Sequence, residues 1–159
     1  MGDNPAPTFA SQTDAEAFLS GALPAATAAN PKYRTPGTDY DRRWPIKTVT
    51  FSRAEGDGVI VSTDEDFEDY RGGALVSRGT HQARFAIDDV KISPETTDDV
   101  SEKGEKARGV LFQCVGAPCV HAVWDGKQSV SARTDIYVQD SNQRERILSA
   151  FRVLQEKGS

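Results

Sequence analysis

The chain has 159 residues with a formal net charge of −5, and 37% of the residues are hydrophobic. This length suits one domain with a real core, although the composition indicates that polar loops dilute it. The acidic balance argues against a general nucleic-acid binder and against a protein that binds anionic membranes, because both need a concentrated basic face. No apolar run approaches the roughly 20 residues that span a bilayer.

The two ends of the sequence bear on domain bounds and on cellular location. Residues 1–10 contain Gly2, Pro5 and Pro7 and predict a mobile tail before a single globular domain over residues 11–157. The start of the chain lacks the charged and apolar regions of a signal peptide. If Met1 and Gly2 replace a cleaved signal, we expect an extracytoplasmic protein, and otherwise a cytoplasmic one.

An amphipathic helix is predicted near the N-terminus. Thr13 and Glu16 have the spacing of a capping box, and Pro24 is predicted to stop the helix. One helical face carries the apolar residues Ala15, Phe18, Leu19, Ala22 and Leu23. Residues 25–44 then predict a long loop, because prolines interrupt them, with Tyr33, Tyr40 and Trp44 pinning it to the core.

The middle of the chain alternates strand-like and polar segments. Residues 46–53 and 59–61 predict a hairpin around the glycine-rich turn at residues 55–58. The acidic run at residues 64–69 predicts a solvated loop without the spacing of a calcium site. Residues 72–78 and 81–92 predict two further strands, and the charged residues 93–106 predict a mobile loop.

The last third of the chain, residues 108–156, has the clearest pattern. Residues 110–124 predict a hairpin that carries Cys114 and Cys119, with its turn at residues 115–118. Residues 129–138 alternate strictly and predict one long strand with a buried and a wet face. Asp140 and Gln143 predict a helix start, and a capping helix then buries Ile147, Ala150, Phe151 and Leu154.

About seven short strands between two helices predict a mainly β (α+β) fold in which an antiparallel sheet curls into a barrel or sandwich. Seven strands followed by one C-terminal helix resemble the pleckstrin-homology-like (PH-like) barrel. The order also resembles small bacterial proteins of unknown function, on residues 13–23, the cysteine pair, and the C-terminal pattern of Arg146, Ala150, Phe151 and Leu154. The resemblance implies a binding scaffold. Lipid-binding members carry a basic loop between their first two strands, but residues 55–58 are acidic here, so we expect no membrane lipid as partner.

Cys114 and Cys119 are the only cysteines, and their spacing leaves several interpretations open. They can form a disulfide across a tight turn, or remain two free thiols. With His121, and with His81 as a possible fourth ligand, they could bind zinc. A Cys–His nucleophilic pair is the last alternative, but no orienting acid or oxyanion hole is evident.

The sequence carries no glycine-rich phosphate loop and no catalytic, cofactor or metal signature. We therefore expect a non-catalytic binding module, soluble and without a cofactor, whose partner is a protein or peptide engaged through a sheet edge or beside the closing helix. The alternatives are a small thiol- or metal-dependent enzyme at Cys114, Cys119 and His121, and a carrier of a small apolar ligand. Trp44 and Trp124 are candidates for a binding surface.

Overall fold

The computed structural model describes residues 9–53 and 58–155. Residues 1–8 of the predicted tail over residues 1–10, and most of the predicted turn at residues 55–58, therefore lie outside the described part. Two helices flank the strands: α1 (Gln12–Ala28) and α2 (Ser141–Gln155). The predicted start of α2 is confirmed, since the Asp140 carboxylate accepts a hydrogen bond from the Gln143 backbone N–H at 2.9 Å.

The predicted end of α1 at Pro24 is wrong, because the helix continues to Ala28. The residues after the proline are mostly alanines, which favour the helix strongly. The Thr27 hydroxyl also donates to the Leu23 carbonyl at 2.8 Å, which ties down the last turn. The cap lies two residues earlier than predicted, where the Ser11 hydroxyl accepts from the Asp14 N–H.

The fold is mainly β, and the described residues form ten strands, more than the seven predicted. Their bounds are β1 (Tyr33–Arg34), β2 (Asp41–Arg43), β3 (Ile46–Arg53), β4 (Val59–Arg71), β5 (Ala74–Ala86), β6 (Val90–Ser101), β7 (Lys106–Cys114), β8 (Val120–Trp124), β9 (Lys127–Ser131) and β10 (Arg133–Tyr137). They make one open antiparallel sheet in the order β10-β7-β6-β1-β2-β4-β5-β8-β9, with β3 also paired to β4. The long loop predicted for residues 25–44 therefore contains the end of α1 and two short strands.

The hairpin of β4 and β5 is the longest in the sheet and overturns two predictions. Residues 64–69 lie inside β4 and are not a loop, and residues 74–86 form one strand instead of parts of two. Gly72 and Gly73 make the turn with positive φ angles of 57° and 84°. The acidic residues of β4 fit into a strand because neighbouring strands supply cations that pair with them. Lys47 lies 3.4 Å from Asp66, and Arg78 lies 3.0 Å from Glu68.

Residues 93–106 were predicted as a mobile loop, which is also wrong. Residues 93–101 belong to β6, which pairs with β7, and Pro94 lies opposite Val110 in this ladder. The real turn is short, and the Ser101 N–H donates to the Glu105 carbonyl at 2.8 Å. Pairing with a strongly apolar neighbouring strand outweighs the polar composition of β6.

The cysteine-bearing segment differs from the prediction as well. β7 and β8 do not pair with each other, since β7 pairs with β6 and β10, and β8 pairs with β5 and β9. The long strand predicted for residues 129–138 is divided at Ala132 into β9 and β10. These two strands stand at opposite ends of the sheet order although they are consecutive in the chain.

Both helices pack together and against one face of the sheet. The fully buried rings of Phe85, Phe112 and Phe151 pack in series in tilted and edge-to-face contacts, with centroids 4.9 Å apart at each step. The predicted residues of α2 are all buried, and α1 buries Ala15, Leu19 and Leu23. On β4 and β5 the same buried face carries both the core residues Val61 and Phe85 and the polar residues Glu65 and His81.

Candidate binding cavity

A cavity of about 260 Å³ opens where β4, β5, β8 and β10 approach one another. Its walls combine aromatic rings and ionisable side chains. The lining residues that matter most are Trp44, Glu65, His81, Trp124, Asp135 and Tyr137. We refer to this feature as the aromatic–acidic cavity.

The floor of the cavity holds a buried carboxyl–imidazole pair. Glu65 in β4 lies directly opposite His81 in β5, and Oε1 of Glu65 is 2.6 Å from Nδ1 of His81. Both side chains are almost completely buried. Burial raises the pKa of Glu65, and the hydrogen bond from His81 acts in the opposite direction. The pair satisfies two polar groups that would be costly to bury alone.

Trp124 covers this pair and remains 43% exposed at the cavity mouth. Its ring stacks on His81 with centroids 3.8 Å apart and lies 5.5 Å from Phe67. Phe67 in turn occupies the space over Gly79, where an added Cβ would lie 2.3 Å from the ring. The tight turn after Trp124, with Asp125 at φ 48° and Gly126 at φ 86°, sets the position of the strand end.

A second aromatic wall stands on the other side. Trp44 makes edge-to-face contact with Tyr137 at 5.2 Å and stacks on Tyr33 at 6.4 Å. The Tyr137 hydroxyl donates to Asp99 at 3.0 Å. Burial raises the pKa of Tyr137 above its usual range, so this phenol remains a neutral donor at physiological pH.

Next to this wall, Glu95 on β6 faces Asp135 on β10. Gly109 on β7 lies between β6 and β10, opposite Glu95 on one side and opposite Tyr137 on the other, so no β7 side chain lies between these two residues. Burial and the neighbouring Asp135 carboxylate raise the pKa of Glu95 to about 8. The nearest cation, Arg133, is 4.0 Å from Glu95 and its side chain is 61% exposed. Its charge therefore offsets the rise in the Glu95 pKa only in part.

The cysteine pair lies at the edge of this site. The sulfur atoms of Cys114 and Cys119 are at disulfide distance, 2.04 Å, as one sequence interpretation predicted. They do not face each other in a ladder, and their Cα atoms are 5.8 Å apart instead of about 4.5 Å. Their backbone N–H groups donate to the carbonyls of Ala132 and Ser131 at 2.8 Å and 3.2 Å, where the chain passes from β9 to β10.

Of the residues singled out from the sequence, Trp44 and Trp124 meet at the aromatic–acidic cavity. His121 does not join them. It is exposed and lies opposite Arg84 in the ladder, whereas His81 points to the cavity side. The two histidines therefore lie on opposite faces of the sheet, so the zinc set considered above cannot assemble around one ion. Among the described residues, no group of three potential metal-ligating side chains is found.

Sequence reasoning missed Glu65, Glu95 and Asp135 as site residues. Glu65 was hidden in an acidic run interpreted as a loop, and Glu95 in a second one. Asp135 was placed on the wet face of its strand, which is the face that borders the cavity. A usable signal was the alternation of Arg133, Asp135 and Tyr137, since a face that mixes both charges with an aromatic ring is unusual for plain solvent exposure.

No protein-family model, curated protein or solved structure matches this chain. Within the described residues, neither helix has the length and apolar character needed to cross a membrane.

Proposed function

We propose that this protein is a non-catalytic binding module that receives a side chain of a protein or peptide ligand in the aromatic–acidic cavity. The observation that supports the proposal is the position of Trp124, whose ring is half-exposed at the mouth and stacks on the buried His81 inside. A large amphipathic ring at a concave site is typical of binding surfaces.

The thiol-enzyme alternative fits the geometry less well. Neither described cysteine is free, and a disulfide sulfur is not a thiolate nucleophile. A carrier of a purely apolar ligand fits poorly too, because the ionisable groups of Glu65, His81 and Asp135 border the space that such a ligand would fill.

The PH-like barrel also remains part of the proposal. β9 and β10 end the sheet order on opposite sides yet are separated by Ala132 alone, which supports closure of the sheet upon itself. An NMR structure would test this through contacts between β7 and β8 across the disulfide. Contacts restricted to the open sheet order would contradict closure.

Selection of random dodecapeptides by phage display against the folded protein tests the binding function. We expect enriched peptides to compete with one another and to bind Trp124→Ala at least about tenfold more weakly, since the ring forms one cavity wall. His121→Ala is the matched control, because it alters the opposite face of the same strand. Absence of enrichment, or equal loss in both variants, would overturn the proposal.

A further inference from the structure

We propose that the side chain bound in the aromatic–acidic cavity is a basic one that donates hydrogen bonds, the ammonium group of lysine or the guanidinium group of arginine. This inference rests on the proposed binding function and names the chemistry of its ligand. It follows from an acceptor without a donor, from the aromatic walls and from the charge balance of the cavity.

A buried carboxyl oxygen of Glu95, beside Asp135, has no hydrogen-bond donor among the described residues. The atom is Oε1, and the side chain is only 9% exposed. Its neighbour Asp135 is also a carboxyl group, so the pair can share one proton but supplies no other donor. A buried acceptor of this kind needs either a proton or a cationic donor. Asp135 lines the cavity whereas Glu95 does not, so a donor on a ligand would meet this carboxyl pair at Asp135.

The walls of the cavity combine aromatic rings with a carboxylate, which favours a ligand that is both apolar and cationic. Trp44, Trp124 and Tyr137 border the cavity, and the faces of such rings attract cations. A neutral aliphatic side chain would gain from the rings but would bury the carboxyl groups without a partner. A quaternary ammonium would gain from the rings but carries no N–H for the Asp135 carboxylate that lines the cavity. A lysine or arginine side chain satisfies both demands, with its apolar stem along the rings and its donors at the carboxyl groups.

The ionisable residues around the cavity favour a cationic ligand. Two cationic groups of the protein border the site, but neither removes its acidic character. Arg133 lies at the limit of an ion pair with Glu95 and extends mostly into solvent. His81, when protonated, is matched by Glu65 at 2.6 Å. An anionic ligand would meet the Asp135 carboxylate in the cavity wall, and the chain as a whole carries a charge of −5.

The size of the cavity points to a side chain as occupant. Its volume of about 260 Å³ is below the range of roughly 300–1,000 Å³ that is typical of sites for whole small molecules. One long side chain entering past Trp124 fits this space, while the peptide backbone that carries it would remain at the surface.

Capped alanine pentapeptides with one variable central residue test the inference, with binding followed by the NMR shift of the Trp124 indole N–H. We expect lysine and arginine peptides to bind at least about tenfold more tightly than norleucine or acetyl-lysine peptides, and more tightly than trimethyl-lysine. Equal affinity for norleucine, or tighter binding of a glutamate peptide, would overturn the inference.

Two variants locate the effect. Asp135→Asn should weaken binding of the lysine peptide about fivefold or more, while Asp98→Asn removes the same charge from a side chain that is 89% exposed and should leave affinity unchanged. Equal losses in both would assign the effect to net charge and refute a built site. If selected dodecapeptides bind at Trp124 without enrichment of lysine or arginine, the inference fails while the binding function stands.

Discussion

Replacing Glu95 by glutamine should remove a specific pH dependence of stability. Three charged groups face Glu95: Asp135 and Arg133 on β10, and Asp99 on its own strand. Its pKa rises from 4.5 to about 8 on folding, chiefly through burial. The native protein therefore holds a proton that the unfolded chain has released between these pH values, and its free energy of unfolding falls as pH rises through this window.

The size of the effect follows from the shift. One proton held only by the native state changes the free energy of unfolding by about 1.4 kcal/mol per pH unit. Over the whole window this sets an upper limit of about 5 kcal/mol, and we expect roughly half of it because Arg133 and solvent screen the carboxylate. Glu95→Gln is neutral at every pH and its amide can donate to Asp135, so it should gain relative to the parent as pH rises.

Urea unfolding of the parent and of Glu95→Gln from about pH 5 to about pH 9 measures this difference. The matched control is Glu102→Gln, which changes an exposed glutamate just beyond the same strand and should leave the pH profile parallel to the parent. A constant difference between Glu95→Gln and the parent across this range would refute the assignment of a raised pKa to Glu95.

Three further substitutions test packing and hydrogen bonding, all by urea unfolding. Gly79→Ala should lower the free energy of unfolding by about 1–3 kcal/mol, because the added Cβ would lie 2.3 Å from the Phe67 ring. Gly21→Ala in α1 has open space around it and should raise the free energy of unfolding by up to about 1 kcal/mol. The reverse order of these two effects would contradict the packing. Thr27→Val should lower the free energy of unfolding by about 1–3 kcal/mol, because the buried Ile46 N–H, 2.8 Å from the Thr27 hydroxyl, would lose its acceptor. An unchanged free energy of unfolding would show that this hydrogen bond contributes nothing to stability.

Local signals in the sequence were enough for α2, for the presence of α1 though not its bounds, and for one hairpin. The Asp140 cap and the apolar spacing of α2 depend on neighbours within a few residues, and the structure retains both. The predicted pairing of residues 46–53 with residues 59–61 is also retained, and the structure extends it to Glu65. In each case the interactions that define the element are close in sequence.

Long-range pairing explains the errors. Pro94 and the acidic run of β4 argued for loops, but a strand is stabilised by its partners, and those partners are distant in sequence. Glu68, for example, is balanced by Arg43 at 3.7 Å and Arg78 at 3.0 Å, from two different strands. The meeting of Glu65 with His81 depends on the register of the β4–β5 hairpin, which no local pattern reveals.

The disulfide gains a role from its place in this topology. It closes a loop with a sequence separation of five residues, so its contribution to global stability is modest, about 2 kcal/mol. The backbone N–H groups of the two bridged residues, Cys114 and Cys119, donate to the carbonyls of Ala132 and Ser131. Ser131 and Arg133 are lining residues of the aromatic–acidic cavity. The bond thus fixes the point where β9 passes into β10, and with it one wall of the proposed binding site.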